Sequence, residues 1–169
     1  MPHVGFRVLL SALSVIFVGL LDGPVLAAAQ QDYDNCSQTN DLKLAIAACT
    51  RIADDQSESG EDRVSAILQI GNAYYQLNDL GKALALYSAA DEIREKQNLH
   101  GPLEIQLLAA KAIAYWRVYQ TDHDASKQQL ALMLFQGATA TDAAYFKTLV
   151  DGSGVLQEIK RYDEEQKKK

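Results

Sequence analysis

Residues 64–97 read VSAILQIGNAYYQLNDLGKALALYSAADEIREKQ, and the spacing of their apolar positions decides the fold class. Val64, Ile67, Leu68, Ile70, Gly71, Tyr74 and Tyr75 recur at steps of three and four, which places them along one side of a helix beginning near Glu61. Asn78-Asp79 marks a tight turn. Leu80, Ala83, Leu84, Leu86, Tyr87, Ala90 and Ile93 repeat the pattern on a second helix. Two amphipathic helices joined by so short a turn fold back on each other as an antiparallel hairpin.

The same period extends in both directions. Leu42, Ala45, Ile46, Cys49, Ile52 and Ala53 share a face of an upstream helix, with Asn40 or Asp41 as its N-cap. Tyr33-Asp34-Asn35 and Thr39-Asn40 are poor helix formers, which leaves the segment before Leu42 open between helix and loop. The run from Asp54 to Gly60 is a polar break. Downstream, Pro102 to Tyr119 reads as a helix with proline in its first turn, lined on one side by Leu103, Leu107, Leu108, Ala112, Tyr115 and Trp116. A turn at Thr121 to Asp124 leads to a partner helix over Ala125 to Phe135. From Thr139 two short helical stretches flank Asp151-Gly152-Ser153-Gly154, and the last carries Val155, Leu156, Ile159 and Tyr162 on one side. Such a helix suits the open apolar end of a helical stack, which it would cap. Residues 30–169 hold 20 alanines, one proline and no sustained alternation of period two, so an all-α fold is expected.

The chain has 169 residues, with 16 Lys+Arg against 22 Asp+Glu and a formal charge of −6. That length can bury a core without metals or many cross-links. The acidic balance argues against nucleic acid as a partner, since such binding needs a basic face. His3 and Arg7 precede VLLSALSVIFVGLL at 8–21, Asp22-Gly23-Pro24 breaks the run, and Val25 to Ala29 ends on small residues. This is the layout of a secretory signal peptide over 1–29, cleaved after Ala29, leaving 30–169 as a single helical domain. An uncleaved tether is the alternative, but fourteen helical residues cover about 21 Å against a hydrocarbon core of ~30 Å. No stable membrane span is expected after cleavage. Export, to a bacterial periplasm or out of the cell, places Cys36 and Cys49 in an oxidising compartment, where the only two cysteines are expected to join as a structural disulfide. Closing a loop of that size stabilises by about 3 kcal/mol. A redox-active pair would want C-x-x-C spacing, and a catalytic thiol would want a histidine partner.

Residues 64–97 resemble a tetratricopeptide repeat of 34 residues. Ile67-x2-Ile70-Gly71-x2-Tyr74-x8-Ala83-x3-Tyr87-x2-Ala90 reproduces the family's alternation of large and small residues without a gap. Ile67 stands where the family usually has Trp, and Glu95 where a proline commonly ends the second helix. The resemblance implies hairpins stacked as a short right-handed superhelix, with Gly71 and Ala83 small for close helix approach and Tyr74 and Tyr87 filling the space between. Degenerate repeats are implied at about 36–59 and 103–136. The family's spacing brings Cys36 against Cys49, in place of an aromatic contact. Ala47-Ala48-Cys49-Thr50-Arg51 is also similar to a segment of small exported bacterial repeat proteins.

Chemistry-bearing motifs are scarce. The chain contains no G-x-S-x-G elbow, Walker loop, H-E-x-x-H or dinucleotide fingerprint. Asp122-His123-Asp124 reads as a solvated turn, and the acidic run Asp54, Asp55, Glu58, Glu61 and Asp62 as surface, lacking the ligand spacing of a helix–loop–helix calcium site. No metal site, cofactor or catalytic residue is expected. The resemblance instead implies a groove lined by the first helix of each repeat, here Ser65, Leu68, Asn72, Tyr75 and Gln76, with Arg117 one helix on as the nearest cation. In the family an asparagine at the place of Asn72 often binds a ligand's backbone or carboxylate, but Leu68 stands where a carboxylate clamp has its basic residue. The expected function is a non-enzymatic exported interaction module holding a peptide or partner helix. A structural subunit of an envelope assembly, engaged through the terminal helices, is the alternative, and a small hydrolase a distant third.

Overall fold

The computed structural model describes residues 22–168, with side chains described from Gln30 onward. The apolar run at 8–21 lies outside the described residues, as does the side-chain environment of the expected cleavage site. Among the described residues there are eight helices and no strand: α1 (Asp22–Ser37), α2 (Leu42–Asp54), α3 (Gly60–Gln76), α4 (Leu80–Lys96), α5 (Pro102–Asp122), α6 (Ala125–Thr141), α7 (Ala143–Gly152) and α8 (Gly154–Gln166).

Local sequence sets most of the boundaries. Asp41 Oδ1 accepts from the backbone N–H of Lys43 and Leu44, and Asp79, Asp124, Asp142 and Ser153 cap α4, α6, α7 and α8 in the same way. Asn78, Asn98 and His123 take left-handed backbone angles (φ 61°, 55° and 58°) just past the ends of α3, α4 and α5. Asparagine tolerates that conformation well, and it lets the last N–H groups fold back onto helix carbonyls. One open segment is settled and one expected helix is longer. Before Leu42 the chain is helical as far as Ser37 and non-helical over 38–41; Cys36 is buried and bonded to Cys49 and Asp32 pairs with Arg51 of α2, so tertiary contacts outweigh weak propensity. The partner of α5 also runs past Phe135 to Thr141, since Ala138 is fully buried and small residues there pack where large ones were sought.

Consecutive helices pack against one another as neighbouring hairpins. The odd-numbered helices also meet in sequence, α1 with α3, α3 with α5 and α5 with α7, whereas α2 does not reach α4 and α4 does not reach α6. The odd helices therefore form a continuous layer, whereas α2, α4 and α6 stay apart and even helices meet only at α6–α8. This is the all-α, helical-repeat arrangement that the sequence led us to expect. The core runs as three linked clusters. Cys36, Cys49, Ile52 and Ile70 join α1–α3; Val64, Leu68, Tyr87 and Leu107 join α3–α5; Trp116, Phe135, Phe146, Leu156 and Ile159 join α5–α8. Helix α8 packs on both α5 and α6, closing the apolar end of the stack. The Cys36–Cys49 disulfide, with Cα atoms 4.7 Å apart, staples α1 to α2.

A close approach in the buried middle of the α3–α4 hairpin is Gly71 of α3 beside Tyr87 of α4. A Cβ built on Gly71 would lie 2.4 Å from Tyr87 Cε1 and 2.7 Å from Cδ1. Ala83 and Ala90 are fully buried on either side of that ring, and Tyr87 itself is 1% exposed. The small residue at 71 thus makes room for an aromatic ring. Glycine to alanine inside an exposed helix ordinarily gains about 1 kcal/mol. Here the ring has nowhere to go, so Gly71→Ala should instead destabilise by about 1–3 kcal/mol in denaturant unfolding, with helicity by circular dichroism retained.

A buried charge cluster joins α4 to α5. Arg94 is only 6% exposed. Its Nε donates to Asp91 at 2.7 Å and its Nη1 to the Leu99 carbonyl at 3.2 Å, while Glu104 lies 3.7 Å away. Lys111 of α5 donates to the other oxygen of Asp91 at 2.8 Å. Burial raises the Asp91 pKa, but the bonds from Lys111 and Arg94 outweigh it and hold the carboxyl below the ordinary range. A depressed folded-state value means the contribution is complete above the unfolded pKa, about 4, and disappears as the pH falls through the folded one. Asp91→Asn should therefore cost about 2 kcal/mol at pH 7, with the difference from the parent chain closing toward pH 2 in urea titrations.

Candidate functional site

Two adjoining hollows open along the odd-helix layer and share Tyr75. The first, of about 250 Å³, lies between α3, α5 and the α7–α8 corner. Leu68, Ala109, Ala110, Ile113, Leu149 and Leu156 give it apolar walls, and Gln69, Asn72 and Gln106 place amides around them. The second, of about 400 Å³, is polar and is bordered by Tyr75, Gln76, Asn78, Leu80, Arg117, Gln120 and Thr121.

The geometry of Asn72 follows from its neighbours. Tyr87 donates its hydroxyl to Asn72 Oδ1 at 2.9 Å. Burial first, and the nearby Tyr75 second, push the Tyr87 phenol well above its ordinary range, so it remains a donor. With its oxygen taken, Asn72 points its Nδ2 outward. One N–H reaches Gln69 Oε1 at 3.3 Å, and the amide's second N–H is left for an occupant. At the other end, Arg117 Nε donates to the Tyr75 hydroxyl at 3.1 Å and Nη1 to Gln120 Oε1 at 3.3 Å. Both partners are neutral, so neither cancels the guanidinium charge. Gln120 is itself held by Glu158 of α8 at 2.8 Å, which ties this end of the site to the cap.

The six groove residues read from sequence are distributed as follows. Asn72, Tyr75 and Leu68 border the first hollow, and Tyr75, Gln76 and Arg117 the second. Leu68 is only 4% exposed and belongs mainly to the core. Ser65 does not join them: it borders a separate hollow with Tyr33, Cys36, Ile52 and Gln69, between α1, α2 and α3. The α7–α8 wall was not anticipated, because nothing in the spacing of Leu149, Ser153 and Leu156 shows that the cap folds back over α5. Asp122, His123 and Asp124 are exposed helix-end residues, with Asp124 capping α6. Among the described residues no group of three or more His, Cys, Asp or Glu side chains is gathered for a metal ion.

Comparison with protein-family models, curated proteins and solved structures gives no match for this chain. The site must be read from its own geometry. Tyr87→Phe removes the bond that orients Asn72 and leaves the ring packing intact. It should lower stability by about 1 kcal/mol in denaturant unfolding, with the amide signals of Asn72 and Gln69 shifted in NMR spectra.

Proposed function

We propose that this chain is a non-enzymatic, tetratricopeptide-like interaction module that binds an extended peptide or partner helix along the α3–α5 groove. The observation that carries this reading is the Tyr87–Asn72–Gln69 relay beside an apolar wall. It presents a pre-oriented amide donor next to Leu68, Ala109 and Ile113, the combination that fits a backbone carbonyl between apolar side chains. Arg117, bonded to neutral groups, suits an acidic position of the same occupant in the adjoining polar hollow. Export is proposed with it. The apolar run ending in small residues at 1–29 supports a cleaved signal peptide and a periplasmic or secreted location. The Cys36–Cys49 disulfide is compatible with that compartment. Among the described residues no helix is long and apolar enough to cross a membrane.

The test is selection from a displayed random-peptide library on the purified chain, followed by titration of the selected peptides. Asn72→Ala combined with Tyr75→Ala should weaken them by at least about tenfold, with the circular dichroism spectrum unchanged. Arg117→Glu should weaken acidic peptides selectively. Undiminished binding by both variants would defeat the groove reading and favour attachment through the terminal helices.

A further inference from the structure

A separate hollow of about 390 Å³ opens on the other side of the cap, between α6, α7 and α8. Its walls are Phe135, Thr139, Ala140, Ala143, Phe146 and Val150, so it is lined mainly by carbon. It shares no lining residue with the groove. At ~30 Å³ per water the volume equals about thirteen waters, which matches a chain of roughly a dozen carbons. Gln136, Asp163, Glu164 and three lysines complete the lining, so an apolar wall faces a charged rim, a combination that suits an amphiphilic small ligand.

The rim supplies the charge. Lys147 stands on α7, and Lys160 and Lys167 on α8. Lys167 is committed: it donates at 2.5 Å to Asp163, a carboxylate only 6% exposed that also accepts from Gln136 at 2.7 Å. That bonding satisfies the one buried acid of the hollow from within the protein. Lys147 and Lys160 are different. All three ammoniums are exposed and paired one turn along, but the partners of Lys147 and Lys160 are the solvated Asp151 and Glu164, whereas that of Lys167 is the buried Asp163. Solvated pairs of this type contribute little, so either ammonium can leave its partner for a better-placed anion. Two exchangeable ammoniums on two helices thus flank an apolar slot.

We propose that the α6–α7–α8 hollow binds a free single-chain amphiphile with a carboxylate head, its alkyl chain between Phe135, Phe146 and Val150 and its head at Lys147 and Lys160. The experiment is displacement of the fluorescent probe 11-(dansylamino)undecanoic acid from the purified full chain by dodecanoate or by dodecyltrimethylammonium. Saturable displacement by dodecanoate below its micelle concentration is expected, with the cation at least about tenfold weaker. Ala140→Trp, an exposed position that fills the slot, should abolish displacement while helicity and groove-peptide binding persist; Thr139→Trp repeats the test if that variant does not fold. Lys147→Glu with Lys160→Glu should reverse the head-group preference. The proposal is overturned if binding is not saturable below the micelle concentration, if the cation binds equally well, or if the slot-filling variants bind dodecanoate unchanged. Binding of the chain to vesicles of anionic phospholipid in place of free dodecanoate would also overturn it, in favour of a membrane-facing surface.

Discussion

The contact between Gly71 and the Tyr87 ring governs both the fold and the groove. A residue larger than glycine would push the ring away, and with it the hydroxyl that holds Asn72. The same side chain thus fills the space between α3 and α4 and fixes a polar group on the surface beside it. Core packing and site geometry cannot be varied independently at this point. That coupling explains why an otherwise plain helical hairpin presents a defined donor. A surface asparagine with free rotamers would have to be ordered on binding, at a cost in side-chain entropy of up to roughly 1.5 kcal/mol. Here folding has already ordered it.

Helical periodicity made much of the architecture readable in advance. The hairpin at 64–97, the turn at Asn78-Asp79, the proline start of α5 and the two short C-terminal helices all announce themselves through spacing and capping residues. What escaped depends on contacts distant in sequence. Helix α1 forms on residues of poor propensity because α2 and the disulfide hold it. Arg94 looks like an ordinary basic residue in the last turn of a helix, yet it is buried because Asp91, Glu104 and the Leu99 carbonyl surround it. A single sequence shows charge at that position but not the three elements that converge on it. The groove was half legible for the same reason: α3 and Arg117 could be placed by period, whereas the wall contributed by α7 and α8 requires knowing where the cap turns back.

Two carboxylates, the part-buried Asp91 and the buried Asp163, play parallel parts on α4 and α8, which flank the α5–α6 hairpin. Each is bonded within its own helix, by Arg94 or Lys167, and across to a neighbouring helix, by Lys111 or Gln136. Apolar contacts alone would let α4 slide on α5, or α8 on α6, at little loss, because alanine-rich surfaces are nearly smooth. A carboxylate that must keep two donors in place penalises such slippage far more steeply, since an unpaired buried charge costs several kcal/mol. These clusters therefore act on register more than on net stability. At Asp163 the bonding ties Lys167 to a buried acid, whereas Lys147 and Lys160 of the same hollow pair with the solvated Asp151 and Glu164.

The spacing of the helices follows from small residues of the same kind. Ala83, Ala90, Ala112, Ala114, Ala131 and Ala138 are all essentially inaccessible, so helices approach closely wherever they lie. Bulk is then concentrated at a few points: Tyr87 between α3 and α4, Trp116 against Tyr162, and Phe135 against Phe146 at 5.0 Å between ring centroids. Alternating close approach with isolated wedges makes the odd helices meet one another while α2, α4 and α6 do not. The groove lies on the layer of odd helices, and the other hollow lies among α6, α7 and α8 beside the Phe135–Phe146 pair. Both cavities thus border the aromatic residues of an alanine-rich stack, Tyr75 and Tyr87 at the groove and Phe135 and Phe146 at the other hollow.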